Sequence, residues 1–150
     1  MLVDEARLPP RLDVTVLATD RDPRVLARAS EAVYRDDEMR RVSAERRRRH
    51  FVRGVGSRAG LWRVVAPLRD RVEFAELDLL GPWPERGAFD VVVCQGAIAA
   101  LDGRSAARLV RRFGDALGPG GVMLLGPARP LPDELPRLEP YGRTGYHKIA

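Results

Sequence analysis

Three places in this sequence hold residues whose type and position suit chemistry. Asp20 closes the run DVTVLATD, and Asp22-Pro23 follow at once. An acid at the end of the second strand of an open α/β sheet can accept hydrogen bonds from both hydroxyls of a ribose. The competing reading is structural, with Asp20 and Asp22 shaping a turn and capping the helix that Pro23 begins. Asp78, just past the run RVEFAEL, poses the same choice between a ligand contact and a strand end facing water. The third place is FDVVVCQGAIAALD, residues 89–102, an apolar strand running into a turn and a helix start. Open α/β sheets put their chemistry at such strand ends, yet Gln95 is the only polar side chain between Cys94 and Asp102. Cys94 reads as a small buried hydrophobe rather than a nucleophile. Neither histidine partners it, since His50 falls in an arginine-rich helix and His147 in a terminal strand.

The elements that must position these residues alternate between strand and helix. Val14, Val16 and Leu17 give the first strand its apolar bulk. Asp22 as N-cap and Pro23 at the first helical position then start a helix, whose stripe runs through Val25, Leu26, Ala29 and Val33. Residues 34–67 break the pattern: Ser43 caps a short helix through AERRRRHF, Gly54, Gly56 and Gly60 mark turns, and LWRVV alternates as a short strand. This stretch reads as a small inserted subdomain. A strand is expected at residues 71–77, ending at Asp78, and a loop with Pro82, Trp83 and Pro84 leads to FDVVVC. Ala106, Leu109, Val110, Phe113, Ala116 and Leu117 keep helical spacing through RSAARLVRRFGDAL, which Gly118-Pro119 stops. GGVMLLG follows as a buried strand. The tail, with Pro127, Pro130, Pro132 and Pro136, is loop-rich before TGYHKI returns as a last strand. Such alternation predicts an α/β fold with a mostly parallel, doubly wound sheet.

Composition sets the outer limits. A chain of 150 residues makes one domain, and 45% hydrophobic with 31% charged residues excludes a disordered chain. No apolar run approaches the ~20 residues of a membrane span. The start MLVDEARLPP, with early acids, is not expected to act as a secretory signal. A single cysteine leaves no disulfide framework and fits a reducing cytoplasm. The net charge of +5 is almost entirely arginine, Lys148 being the only lysine. The cluster RRRRH, residues 46–50, could be a nucleic-acid footprint. A charge run on a short helix is ordinarily a solvated face, however, and no interleaved aromatics support the alternative, so no nucleic-acid partner is expected.

The blocks ATDRDPRVLARASEAVYRDDEM, RRHFVRGVG, LWRV, VEFAELDLLGPWP, FDVVVCQGAIAALD and ALGPGGVMLLG resemble, in order and spacing, the CheR-type methyltransferases. These enzymes use S-adenosylmethionine to methylate glutamates on chemotaxis receptors, and the resemblance covers roughly residues 14–148. It implies a Rossmann-like class I methyltransferase sheet, with residues 1–150 forming a single partial domain and residues 34–67 its inserted subdomain. It also implies S-adenosylmethionine as cofactor, the cytoplasmic region of a chemoreceptor or another signalling protein as partner, and the cytoplasm as location. On the family pattern Asp20 is the ribose-binding acid. Asp78, where the family commonly has Asn, and Leu79 stand at the adenine. Gln95 stands at the cofactor in place of an arginine. In some members the inserted subdomain holds the C-terminal peptide of a receptor.

Departures from the family pattern shape the functional expectation. Family members carry, ahead of this region, a strand and a G-E-E-P-Y-S-like loop that holds the methionine end of the cofactor. The first glycine here is Gly54, so the sheet is expected to lack its first, central strand and that loop. The family's C-R-N-V-x-I-Y-F-D keeps Cys94 and Asp102, but Gln95 replaces Arg, Gly96 replaces Asn, Ala100 replaces Tyr and Leu101 replaces Phe. The later H-S-E signature is read as Pro127, Ala128 and Arg129. Transfer of a sulfonium methyl to an ionised carboxylate needs no general base and is mostly positioning, so no residue is assigned as a catalytic group and no metal is expected. Each lost charge-assisted hydrogen bond costs ~1.5–3 kcal/mol, or roughly tenfold to a hundredfold in rate if it acts in the transition state. The expectation is a domain of this family with weak or no cofactor binding and impaired transfer. The alternative is a non-catalytic module that keeps the subdomain and binds a receptor peptide or another protein.

Overall fold

The structure is a computed structural model and describes residues 13–126, 137–142 and 144–149. In chain order its strands and helices are β1 (Val16–Asp20), α1 (Pro23–Glu31), β2 (Val33–Arg35), α2 (Ala44–His50), β3 (Phe51–Arg53), β4 (Leu61–Val64), α3 (Ala66–Arg69), β5 (Val72–Glu76), β6 (Phe89–Val93), α4 (Gly103–Ala116), β7 (Leu117–Leu124), β8 (Leu138–Tyr141) and β9 (Gly145–Lys148). They fall into two compact units, Met1–Asp78 and Leu79–Ala150. The α/β class expected from the sequence is borne out.

In the first unit β1 and β5 pair in parallel, from Val16 opposite Val72 to Asp20 opposite Glu76. Helix α1 starts as the sequence dictates. The Asp22 side chain accepts from the Arg24 N–H, and Pro23 occupies the first turn, where a missing N–H is harmless. The expected stripe through Val33 ends early. Ala32 turns left-handed, with φ +52, and its carbonyl accepts from the Val64 N–H at 3.0 Å. That bond draws the chain out of the helix, and Val33 becomes the first residue of β2. Strands β2 and β3 flank β4 in an antiparallel sheet of order β2-β4-β3, so the single strand expected at LWRVV is the centre of three. Ser43 caps α2 by accepting from the Arg46 N–H at 3.2 Å, and no residue of α2 is buried. Of RRRRH, Arg48 and Arg49 are exposed and the other three residues are half-buried. Gly54 is required where it stands, because a Cβ there would lie 2.1 Å from the Arg58 carbonyl oxygen. Among the described residues of this unit only Ala32 and Met39 are buried.

The second unit holds a four-stranded sheet of order β6-β7-β9-β8, with β6 and β7 parallel and the other two pairings antiparallel. Helix α4 begins one residue earlier than expected. Asp102 caps it, accepting from the Arg104 and Ser105 N–H groups at 3.0 Å each. Leu117, expected in the helix, instead opens β7, which runs on through Gly118-Pro119 to Leu124. Pairing with Phe89 and a register shift before Val91 absorb the irregular stretch. The core lies where α4 meets this sheet: Leu109, Val110 and Phe113 pack with Leu117, Met123, Leu125, Cys94 and Ile98. β8, Leu138–Tyr141, was expected as loop. Lys148 in β9 donates to the Leu117 carbonyl, tying the last strand to the junction of α4 and β7. Pro127, Pro130, Pro132 and Pro136, with Ala128 and Arg129, lie outside the described residues. Among the described residues β1 pairs with β5 alone and β6 with β7 alone, so each offers one unpaired backbone edge.

Candidate functional site

Parallel pairing carries two of the expected site residues to one sheet edge. Asp20 ends β1, its carbonyl accepts from the Leu77 N–H at 3.0 Å, and Asp78 follows Leu77 beyond the end of β5. Both acids thus sit at the carboxyl ends of adjacent parallel strands, where ligands of open α/β sheets bind. The half-buried Asp20 side chain gives one oxygen to the Asp22 N–H at 2.9 Å, and the other has no partner among the described residues. Asp22 is fully committed. Its carboxylate accepts from the Arg24 N–H and bidentately from the Arg24 guanidinium, at 2.9–3.1 Å. The guanidinium bond, with the backbone bond behind it, holds that carboxyl below its ordinary range. The two structural roles proposed for these acids therefore separate: Asp22 caps the helix, and Asp20 shapes the turn while keeping one acceptor open.

The corner after β6 belongs to the second unit. The Cys94 N–H extends the ladder to the Leu124 carbonyl at 2.9 Å, and its side chain is 9% exposed within the core. Burial pushes the thiol up, and a backbone hydrogen bond at Ile98 offsets this only in part. Gln95 is exposed, with its Cγ 3.3 Å from the point where a Cβ on Gly126 would stand. Gly96 takes φ +89 in open space. Ala100 closes a short 3-10 turn, Ile98–Ala100, and is exposed, whereas Leu101 packs against the core.

Leu79 also packs on this core, and its carbonyl is doubly held. It accepts from Trp83 Nε1 at 3.2 Å and from Arg112 Nη1 at 2.9 Å. Arg108 Nη2 donates to the next carbonyl, Leu80, at 3.0 Å. The Arg112 guanidinium lies 4.0 Å above the Trp83 ring, and that ring meets Phe113 at 5.5 Å between centroids. Sequence reasoning missed these two arginines. The available signal was their i, i+4 spacing beside the apolar stripe of α4.

Residues 1–144 match the family described as CheR methyltransferase, SAM binding domain. The chain belongs to the CheR methyltransferase family. It is 37% identical over 112 residues to the chemotaxis protein methyltransferase of Klebsiella aerogenes, covering 74% of this chain and 39% of that protein. Its identity to the chemotaxis protein methyltransferase of Escherichia coli is 34% over 112 residues, with the same coverage of 74% and 39%. Chemotaxis protein methyltransferase 2 of Pseudomonas aeruginosa is 34% identical over 114 residues, or 75% of this chain and 41% of that protein. The chain thus spans about two-fifths of the length of these relatives. The cofactor of the CheR domain is S-adenosylmethionine.

The carboxylates at the carboxyl ends of β1 and β5 are acceptors of the kind the nucleoside half of that cofactor calls for. A carboxylate is an acceptor only, so the open oxygen of Asp20 suits a ribose diol and Asp78 suits an exocyclic amine. None of the assigned positions presents a cation to the methionine carboxylate, and Gln95 brings a neutral amide where the family has Arg. The change from Asn to Gly at Gly96 is easier to account for. The backbone there is left-handed, and after glycine asparagine is among the residues that take this region most readily.

Beside the β2-β4-β3 sheet the first unit has a groove of about 420 Å³ whose walls include Val33, Val52, Trp62 and Val64, with Arg53, Arg58, Arg63 and Arg69 around them. Val52 is 61% exposed. Arg53 lies over the Trp62 ring at 5.5 Å, and Trp62 Nε1 donates to Asp36. Arg69 Nε is buried without a hydrogen-bond partner among the described residues.

Proposed function

We propose that this chain binds the nucleoside end of S-adenosylmethionine through Asp20 and Asp78, and that its acceptors are glutamate side chains in the cytoplasmic region of a chemoreceptor. The observation that carries this reading is Asp20, pinned through one oxygen by the Asp22 N–H and open at the other, at the carboxyl end of a parallel strand. When bound, the cofactor supplies a sulfonium methyl group open to in-line displacement. The acceptor carboxylate is ionised at neutral pH, so the chain has only to orient two reactants and exclude water. Gln95 and Ala100 do this poorly. A neutral amide does not attract a carboxylate, and a methyl group leaves the volume of a phenol unfilled. Transfer by this chain is therefore close to background.

A second reading, a module that binds a receptor peptide without catalysis, is favoured by the subdomain groove. Four arginines beside an apolar floor suit a peptide with an acidic end.

Calorimetry with S-adenosylmethionine tests the main reading. Binding is expected to be weaker than ~100 μM, equivalent to about 5.5 kcal/mol, and to be lost in Asp20→Ala. A low-micromolar constant would show that the methionine end is held after all. Binding unchanged in Asp20→Ala would remove the ribose assignment. Labelled methyl incorporation into a receptor cytoplasmic fragment is expected to rise when Gln95→Arg and Ala100→Tyr are introduced together. Strong labelling without them would refute the account of the corner.

A further inference from the structure

We infer that the β3–β4 hairpin of the first unit, residues 51–64, docks this chain on an anionic lipid surface. The inference is independent of the nucleoside reading. Charge is segregated along the chain. Between Glu45 and Asp70 there are eight arginines and no acid, although the whole sequence carries 21 acids against 26 basic residues. On the hairpin Arg53, Arg58 and Arg63 are all exposed. Arg53 is drawn over the Trp62 ring at 5.5 Å, and Asp36, just past β2, accepts from that indole. Arg58 and Arg63 have no acid on the hairpin to pair with.

Beside these cations lie the two most exposed large hydrophobic residues among those described, Val55 at 83% and Val52 at 61%. Val52 stands directly opposite Arg63 in the β3–β4 ladder, so the two share a face of the sheet. Val52, Arg58 and Arg63 also border one groove. Val55 is held out by the turn itself. The Gly54 N–H closes the ladder on the Leu61 carbonyl at 2.8 Å, and the Arg58 and Ala59 N–H groups donate to the Val55 and Gly56 carbonyls at 3.1 and 3.0 Å. Gly56 takes φ +58, and a Cβ built there meets nothing within 4 Å. The tip is thus fixed by its own bonds and stands in open space. This combination favours lipid over other polyanions. An aliphatic tip with no wall around it makes no pocket for a peptide side chain, and valine cannot stack on bases as the aromatics of single-strand binders do. A bilayer needs no preformed complement. Its headgroup layer yields around a protruding apolar side chain, and its phosphates accept from the planar fork of arginine.

The test sediments the full chain with vesicles of phosphatidylcholine alone, or of phosphatidylcholine and phosphatidylglycerol in equal parts. Binding is expected only to the anionic vesicles and should fall steeply with salt. Arg58→Gln and Arg63→Gln should each weaken it about fivefold, and Val55→Ser about tenfold as the burial of its side chain is lost. Arg104→Gln and Arg111→Gln remove the same charge from exposed positions of the second unit and should change binding little. Every substituted position is exposed, so thermal melts should match the parent. Equal losses from the two units would reduce the effect to net charge, and binding unmoved by Val55→Ser would remove the tip. Either result overturns the inference, as does a lack of binding to the anionic vesicles in dilute salt. Poly-glutamate and single-stranded DNA are offered in parallel. If one of them binds through Val55 and the hairpin arginines while the vesicles do not, the surface belongs to a polypeptide or a nucleic acid and the lipid assignment fails.

Discussion

Leu109→Ala is the severest test of how the second unit is held together. Leu109 is 0% exposed, and it sits on α4 among Val110 at 0%, Phe113 at 5% and Ala106 at 7% exposure. Across from it β7 presents Leu117 and Met123, themselves 2% and 0% exposed. Truncation removes the whole isobutyl group beyond Cβ. The helix cannot close the gap without dragging its neighbours out of contact, because interiors are packed as tightly as organic crystals. Leu-to-Ala changes at such sites cost ~2–5 kcal/mol, with the larger values where the site does not collapse, so about 3–5 kcal/mol is expected. A whole domain is stable by only about 5–15 kcal/mol, which makes this roughly a fifth of the total or more. The two tryptophans report on different units, Trp62 on the first and Trp83 on the second. In a Trp62→Phe background Trp83 fluorescence alone follows urea unfolding. With a urea slope of about 1–3 kcal/mol/M, the midpoint should fall by at least about 1 M. A loss below about 1 kcal/mol would refute the packing argument.

Three further expectations concern other parts of the chain. Burial raises the Cys94 pKa in the folded state, so the stability contributed by its neutral thiol is whole below the unfolded pKa and is lost as pH rises toward the folded one. Urea melts between neutral and alkaline pH should show that decline in the parent but not in Cys94→Ala, and alkylation as fast in the native as in the unfolded state would contradict it. Gly54→Ala forces a Cβ into the Arg58 carbonyl, at a cost of about 1–3 kcal/mol. Trp62 emission in a Trp83→Phe background should register the loss on heating, and an unchanged melt would show the turn relaxes freely. The edge of β6 that is unpaired among the described residues carries Val91 and Val93, 47% and 55% exposed. Such edges invite association, so sedimentation should show concentration-dependent association that Val91→Lys with Val93→Lys suppresses, whereas a parent protein monomeric at every concentration would count against it.

Features decided within a few residues were legible in the sequence. Asp22-Pro23 and Ser43 cap their helices as expected, since a cap needs only its own turn. The parallel strands β1, β5 and β6 were visible as short apolar runs. What escaped depends on remote partners. VYR and FVR, at three residues each, are too short to show a period, and only β4 makes them strands. LEPY has a proline and reads as loop until β9 pairs with it. Val33 fits the α1 stripe arithmetically, yet a bond to a residue more than thirty positions away takes it elsewhere. The same limit applies to the site. A strand-end acid at Asp20 could be picked out, but the division of work between Asp20 and Asp22 became visible only in their hydrogen bonds. Arg112 was hidden among many arginines, because its importance lies in a carbonyl 33 residues away.

The bond from Lys148 to the Leu117 carbonyl has a practical consequence for handling this chain. No other lysine exists in the sequence, so a reagent selective for ε-amines meets a single target, half-buried and already engaged as a donor. Its labelling rate is then a readout of whether the last strand is seated, available by mass spectrometry without any engineered probe. A lysine-specific protease is similarly confined. Its one cut in this sequence falls after Lys148, so digestion that would shred an ordinary protein leaves both folded units whole.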